Sequence, residues 1–175
     1  MTKISGKGLK RIIVDMPSIF LKSEEIITIT KQSVVITVLG SCISATLYHP
    51  QKKIGMINHA LLPADPGQND FKYVDSSIRF MADHLLRKGI HPNELEVKLF
   101  GGARQSASGL PGQGIDVGGQ NIKVAVATLL KLGFSISASD TGGCFGRKIF
   151  FIQDNGKVYT KMIKNIISGD VSIGK

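Results

Sequence analysis

At 175 residues, 42% hydrophobic and 20% charged, the chain has the length and composition of one folded domain with a substantial apolar core. No apolar run is long enough to cross a bilayer, the basic start M-T-K-I-S-G-K-G-L-K-R leads into a short I-I-V instead of a signal-peptide core, and two cysteines make no disulfide framework. The expectation is therefore a cytoplasmic protein, and the net charge of +9, spread over scattered lysines and arginines without interleaved aromatics, reads as a solvated basic surface with no nucleic-acid stripe.

The first sixty residues predict strands. Ile12 to Met16, Ile26 to Thr30, Val34 to Leu39, Ile43 to Tyr48 and Ile54 to Leu61 are short, rich in Ile, Val and Thr, and separated by turn residues. The polar segment His49-Pro50-Gln51-Lys52-Lys53 predicts a hairpin turn that returns the chain antiparallel to the strand before it. After a polar loop at Pro66 to Asp70, the spacing of Val74, Ile78, Met81, Ala82, Leu85 and Leu86 predicts a helix over Tyr73 to Lys88, stopped by Gly89. A strand follows at Leu95 to Phe100. The Ser-, Gly- and Pro-rich stretch Gln105 to Gly114 reads as a mobile loop. A second helix is expected over Asn121 to Leu132, then a strand over Phe134 to Ser139. Asn155-Gly156 marks a hairpin between Lys148 to Ile152 and Lys157 to Ile163. One domain results, with its core from about residue 10 to 163 and a loosely held tail over 164–175.

Chemistry concentrates at Cys42. A thiol near its ordinary pKa of about 8.5 is a poor nucleophile at neutral pH until a base activates it. Cys42 follows Gly40-Ser41 at the end of an apolar run, where a sharp turn can present both the thiol and backbone N–H groups able to hold an oxyanion. The hairpin turn brings His59 back toward it. Thr37, five residues before the cysteine, can offer its hydroxyl to the second imidazole nitrogen, although a threonine here also suits a plain strand. The glycine segments Gly101-Gly102 and Asp140-Thr141-Gly142-Gly143 match no phosphate-binding fingerprint, and read as close backbone packing or as the wall of a substrate groove. Nothing places a base beside Cys144. No metal-ligand spacing and no cofactor motif is present, so neither a metal nor a cofactor is expected.

Five ordered motifs then carry a resemblance. They are T-V-L-G-S-C-I-S-A-T-L-Y-H-P-Q-K-K-I-G-M-I-N-H-A-L-L-P, Y-V-D-S-S-I, K-L-F-G-G-A, V-G-G-Q-N-I and D-T-G-G-C-F-G-R-K, spanning about Val34 to Ile163. Together they resemble the CheD family, the chemoreceptor glutamine deamidases of bacterial chemotaxis. The resemblance implies an α+β fold, a three-layer α/β/β sandwich with mixed sheets and two main helices on one face. It implies hydrolysis of glutamine side-chain amides through a thioester, with Cys42 as nucleophile, His59 as general base and acid and Thr37 orienting the imidazole. The implied partners are the cytoplasmic helices of chemoreceptors and a CheC-type phosphatase. The alternatives are a regulatory binding partner of such a phosphatase, and a thiol deamidase of some other protein. The chain departs from the family's pattern at Gly119-Gln120, where a polar residue and an arginine are usual, and in a longer, more glycine-rich Gln105 to Gly114 loop.

Overall fold

The structure is a computed structural model and describes residues 16–104 and 116–163. Among the described residues, nine strands form two sheets: β1 (Ser18–Phe20), β2 (Ile26–Ile29), β3 (Val34–Leu39), β4 (Ile43–His49), β5 (Ile54–Asn58), β6 (Glu96–Gly101), β7 (Ile136–Thr141), β8 (Gly146–Ile152) and β9 (Val158–Ile163). Two helices, α1 (Val74–Leu86) and α2 (Val117–Lys131), supply the remaining layer. One sheet has the order β1-β3-β8-β9 and the other β2-β5-β4-β6-β7. Each contains one parallel pair, β1 with β3 and β6 with β7, among antiparallel neighbours, so both sheets are mixed.

Side-chain alternation builds the layers. In β4, Ile43, Ala45 and Leu47 point to the helices and join Met56, Ala60, Ile78, Met81, Leu85, Ala125 and Leu129 in one apolar cluster. The opposite face of that sheet meets the four-stranded sheet, where Leu21, Val35, Leu39, Ile57, Phe100, Ile149 and Phe151 form a second cluster. This is the expected α/β/β sandwich. The outer face of the four-stranded sheet carries a smaller group, Val34, Phe150, Ile152 and Tyr159.

Most element expectations hold with shifted ends. The β4–β5 hairpin forms with the register Thr46 opposite Ile57 through His49 opposite Ile54. The strand expected to Leu61 ends at Asn58, with a single further bridge between Ile43 and Ala60. Of the strand expected at Ile12 to Met16, residues 12–15 lie outside the described residues and Met16 sits in a bend. The first strand described is instead Ser18–Phe20, three exposed residues that the alternation rule passes over because they pair along one edge only. The Gln105 to Gly114 loop and the tail over 164–175 also lie outside the described residues.

Helix α2 begins four residues earlier than its apolar spacing suggests. Asp116 caps it, accepting from the Gly119 N–H at 2.9 Å, and the two glycines that look helix-averse are required by what lies beside them. A Cβ on Gly118 would stand 2.5 Å from the Ala103 carbonyl oxygen, so only glycine lets the first turn of α2 approach the end of β6.

Candidate active site

The hairpin and the sandwich bring three expected residues to one place. Thr37 lies in the middle of β3 on the face it shares with Val35 and Leu39, toward the space between the sheets. His59 leaves the end of β5 on the facing sheet. Between them the Thr37 hydroxyl and His59 Nδ1 are 2.8 Å apart, both groups buried, so the pair bridges the two sheets. The register through Thr46–Ile57 and Ile43–Ala60 places His59 opposite Ser44 and Cys42 opposite Leu61. Cys42 and His59 are therefore diagonal neighbours on one face of the sheet, a spacing of about 7–8 Å between backbones that long side chains span. Cys42 packs, half-buried, against the cluster between the sheets.

The hydrogen-bond inventory fixes the state of the imidazole. Thr37 has one hydroxyl proton, and it donates it to the Leu21 carbonyl at 2.8 Å. The threonine oxygen is then an acceptor toward His59, which must carry its hydrogen on Nδ1. The basic lone pair is left on Nε2, and that atom is buried with no hydrogen-bond partner among the described residues. A buried basic nitrogen without a partner is an uncommon arrangement for a merely structural histidine.

Burial sets the charges. It pulls the His59 pKa down to about 4, against smaller upward pulls from the Leu21 carbonyl and the Glu25 carboxylate. Burial also pushes the Cys42 thiol up, while the N–H groups of Cys42 and Gly40 pull it the other way. At neutral pH the resting site holds a neutral thiol and a neutral imidazole. Both N–H groups belong to the Gly40-Ser41-Cys42 turn to which the sequence points.

The first glycine motif supports this turn from below. The Gly102 N–H donates to the Cys42 carbonyl at 2.7 Å and the Ala103 N–H to the Gly40 carbonyl at 2.8 Å. Gly101 has φ +108°, and a Cβ there would fall 2.1 Å from the Cys42 carbonyl oxygen. Gly101 is thus a close-packing glycine, and its carbonyl in turn accepts from the Gly142 N–H at 2.9 Å. Asp140 does not reach toward the thiol. Its carboxylate pairs at 2.9 Å with Arg147, a 1% exposed guanidinium on β8 that also donates to the Asp140 and Gly142 carbonyls. Gly102, Gly142 and Gly143 line an open cleft of ≈ 420 Å³ together with Arg104, Ile122 and Cys144. Thr141 ends β7 opposite Gly101. The described residues contain no group of three or more His, Cys, Asp or Glu that could hold a metal.

Two residues of this neighbourhood owe their placement to the tertiary structure alone. Arg147 was visible only as one basic residue in G-C-F-G-R-K, and its burial depends on contacts between the two sheets. Asn121 was read as a helix start, yet it is fully buried and its Nδ2 donates to the carbonyls of Ser41 and Leu61, both at 2.9 Å.

Fold and site together define an α+β sandwich protein with a cysteine, a histidine and a threonine gathered between its sheets at one end. The fold is shared with a solved structure, the Bacillus licheniformis hypothetical protein YfiH, at a TM-score of 0.53 over 79% of this chain and 68% of that one, with only 11% identity. The family model described as CheD chemotactic sensory transduction matches residues 59–162, opening at His59, with Thr37 and Cys42 upstream of the match. A Geobacter sulfurreducens protein named probable chemoreceptor glutamine deamidase CheD 2 is 41% identical over 150 residues, 85% of this chain and 91% of its own length. A probable chemoreceptor glutamine deamidase CheD from Nitratidesulfovibrio vulgaris is 35% identical over 92% of this chain and 85% of its own. One from Thermococcus kodakarensis is 37% identical over 73% and 81%. The chain belongs to the CheD family.

Proposed function

We propose that the protein is a chemoreceptor glutamine deamidase, and that Cys42, His59 and Thr37 perform the hydrolysis. The names of the relatives support the substrate class. The observation that carries the mechanism is the Thr37–His59 hydrogen bond, which leaves the basic Nε2 free on the face of the sheet it shares with the thiol. His59 Nε2 takes the Cys42 proton as sulfur attacks the glutamine Cδ, forming the S–C bond of a tetrahedral intermediate. Its oxyanion is held by backbone N–H groups of the Gly40-Ser41-Cys42 turn. As the C–N bond breaks, the imidazolium gives its proton to the leaving nitrogen, and ammonia departs. Water, deprotonated by the same Nε2, cleaves the thioester to leave glutamate and the free thiol.

The neutral resting pair suits this sequence. A proton transfer during attack costs less than holding a thiolate and an imidazolium apart in a buried site. Thr37 contributes by fixing the tautomer, since a histidine carrying its hydrogen on Nε2 has no lone pair to offer the thiol.

In the same proposal the protein acts in the cytoplasm on receptor helices. Docking on a CheC-type phosphatase rests on the family resemblance alone and is tested by affinity capture with that protein. The direct test of the chemistry is mass spectrometry of a chemoreceptor cytoplasmic fragment incubated with the enzyme. Each converted glutamine gains about 1 Da, and Cys42→Ala is expected to lower the rate by at least about 10³-fold. Conversion at the wild-type rate by Cys42→Ala overturns the mechanism.

A further inference from the structure

Asn121 stands outside the three residues of the proposed mechanism, yet it is the side chain that grips the cysteine turn. It projects from the second turn of α2 on the same buried face as Ala125 and Leu129, which belong to the helix-side core. Both neighbours of its amide are carbonyl oxygens, so the amide can sit only with Nδ2 toward them. Its Oδ1 is left buried without a partner among the described residues. An unpaired buried acceptor costs free energy, and here it is the cost of placing both amide hydrogens on Ser41 and Leu61.

What those two bonds achieve follows from peptide geometry. Across a trans peptide the C=O of one residue and the N–H of the next point in opposite directions. All peptides of the described chain are trans. Asn121 draws the Ser41 carbonyl toward the helix layer, so the Cys42 N–H must point away from the helices. That direction is the space between the sheets, where the Cys42 side chain packs and where Thr37 and His59 meet. The Cys42 N–H donates to no backbone carbonyl among the described residues. The neighbouring peptides are tied by other groups: the Gly40 carbonyl by Ala103, and the Cys42 carbonyl by Gly102. Only the Ser41–Cys42 peptide depends on a side chain. The second bond, to Leu61, ties the same amide to the chain just past His59.

We infer that Asn121 is a positioning residue that turns the Cys42 N–H into the site as an oxyanion donor and holds that turn in register with the His59 segment. This rests on the deamidase reading above for its catalytic consequence, though the contact itself does not. It differs from a structural role in what it touches: it acts on the charge that develops in the tetrahedral intermediate and leaves ground-state binding alone.

Two measurements test it on the full chain, using Asn121→Asp, which keeps the shape and loses the donor, and Asn121→Ala. The first is conversion of a chemoreceptor cytoplasmic fragment. Loss of one oxyanion donor lowers kcat by about 10²–10³-fold, and a misdirected donor is expected to cost about 10–100-fold with KM changed less than about 3-fold. The second is the amide spectrum of protein labelled with ¹⁵N-cysteine, whose two peaks belong to Cys42 and Cys144 and are assigned by Cys42→Ala. Both variants are expected to shift the Cys42 peak and speed its exchange with solvent while the Cys144 peak stays in place. An unmoved Cys42 peak in either folded variant overturns the inference, as does a moved peak with kcat within 2-fold of wild type. Thermal melting identifies a variant that fails to fold, and the other then decides. If the wild type converts no glutamine, the deamidase reading fails by itself, and the amide peak still decides whether Asn121 directs the Cys42 N–H.

Discussion

Two glycine turns at the same end of the sandwich each carry a cysteine, and their construction differs in kind. The Gly40-Ser41-Cys42 turn is fastened from three sides, by Gly102, by Ala103 and by Asn121, and its thiol lies half-buried on the face of the sheet that also carries His59. The Asp140 to Gly143 turn is fastened by the buried guanidinium of Arg147 and by two backbone bonds, Gly142 N–H to Gly101 and Arg104 N–H to Gly143, and its neighbour Cys144 is exposed. Both glycine pairs have positive φ, but what surrounds them is different. Gly101 has the Cys42 carbonyl where a Cβ would go, whereas Gly143 has nothing within 4 Å. A glycine chosen for its backbone angle tolerates open space beside it. A glycine chosen for close approach marks a place where another segment must be held to a fraction of an ångström, and here that segment is the peptide of Cys42 itself.

The comparison breaks most visibly on alanine at the two glycines. Gly101→Ala combines a left-handed backbone angle with a backbone clash, and is expected to cost about 3–5 kcal/mol of stability and nearly all deamidation. Gly143→Ala meets only the backbone angle and is expected to cost about 1–2 kcal/mol. Urea unfolding of both variants, with conversion of a receptor fragment, checks the pair. Equal losses would show that the first turn is not held by close packing.

The next effect separates the turns by pH. The unfolded chain protonates His59 near its ordinary value of about 6.5, while the fold resists until about 4. Between those values the unfolded state holds the extra proton. Stability therefore falls as pH drops from about 6.5 to about 4, by roughly 3 kcal/mol for this group, and does not recover below that. Denaturant midpoints across this window should fall more steeply for the wild type than for His59→Gln. Parallel curves would place His59 in water.

The smallest effect compares the two thiols directly. At pH 7.5 the exposed Cys144 is expected to react with iodoacetamide about 10-fold faster than Cys42, whose rate keeps climbing above about pH 9 because its burial favours the neutral thiol. Peptide mapping gives both rates from one sample. A faster Cys42 at neutral pH would mean that the resting site already holds a thiolate, and the proton would then not move during attack.

The sequence by itself determined most strands of the sandwich, the hairpin that returns His59 toward Cys42, and Thr37 and His59 as a pair that the fold joins by a hydrogen bond. Those features rest on local rules: alternation at period two, turn residues at fixed offsets, and a thiol placed after a glycine. Strand ends and the start of α2 needed more, because Gly118 fits its helix only through the approach of β6, which no local pattern encodes. The tertiary structure alone decided that Thr37 binds Nδ1 and leaves Nε2 bare, since that depends on the hydrogen bond its hydroxyl donates to the Leu21 carbonyl just past β1. It alone buried Arg147 between the sheets and brought Asn121, 80 residues along the chain, onto the Ser41 carbonyl. The physical reason is common to all three: each is a polar group removed from water, and its partner is set by where the layers meet.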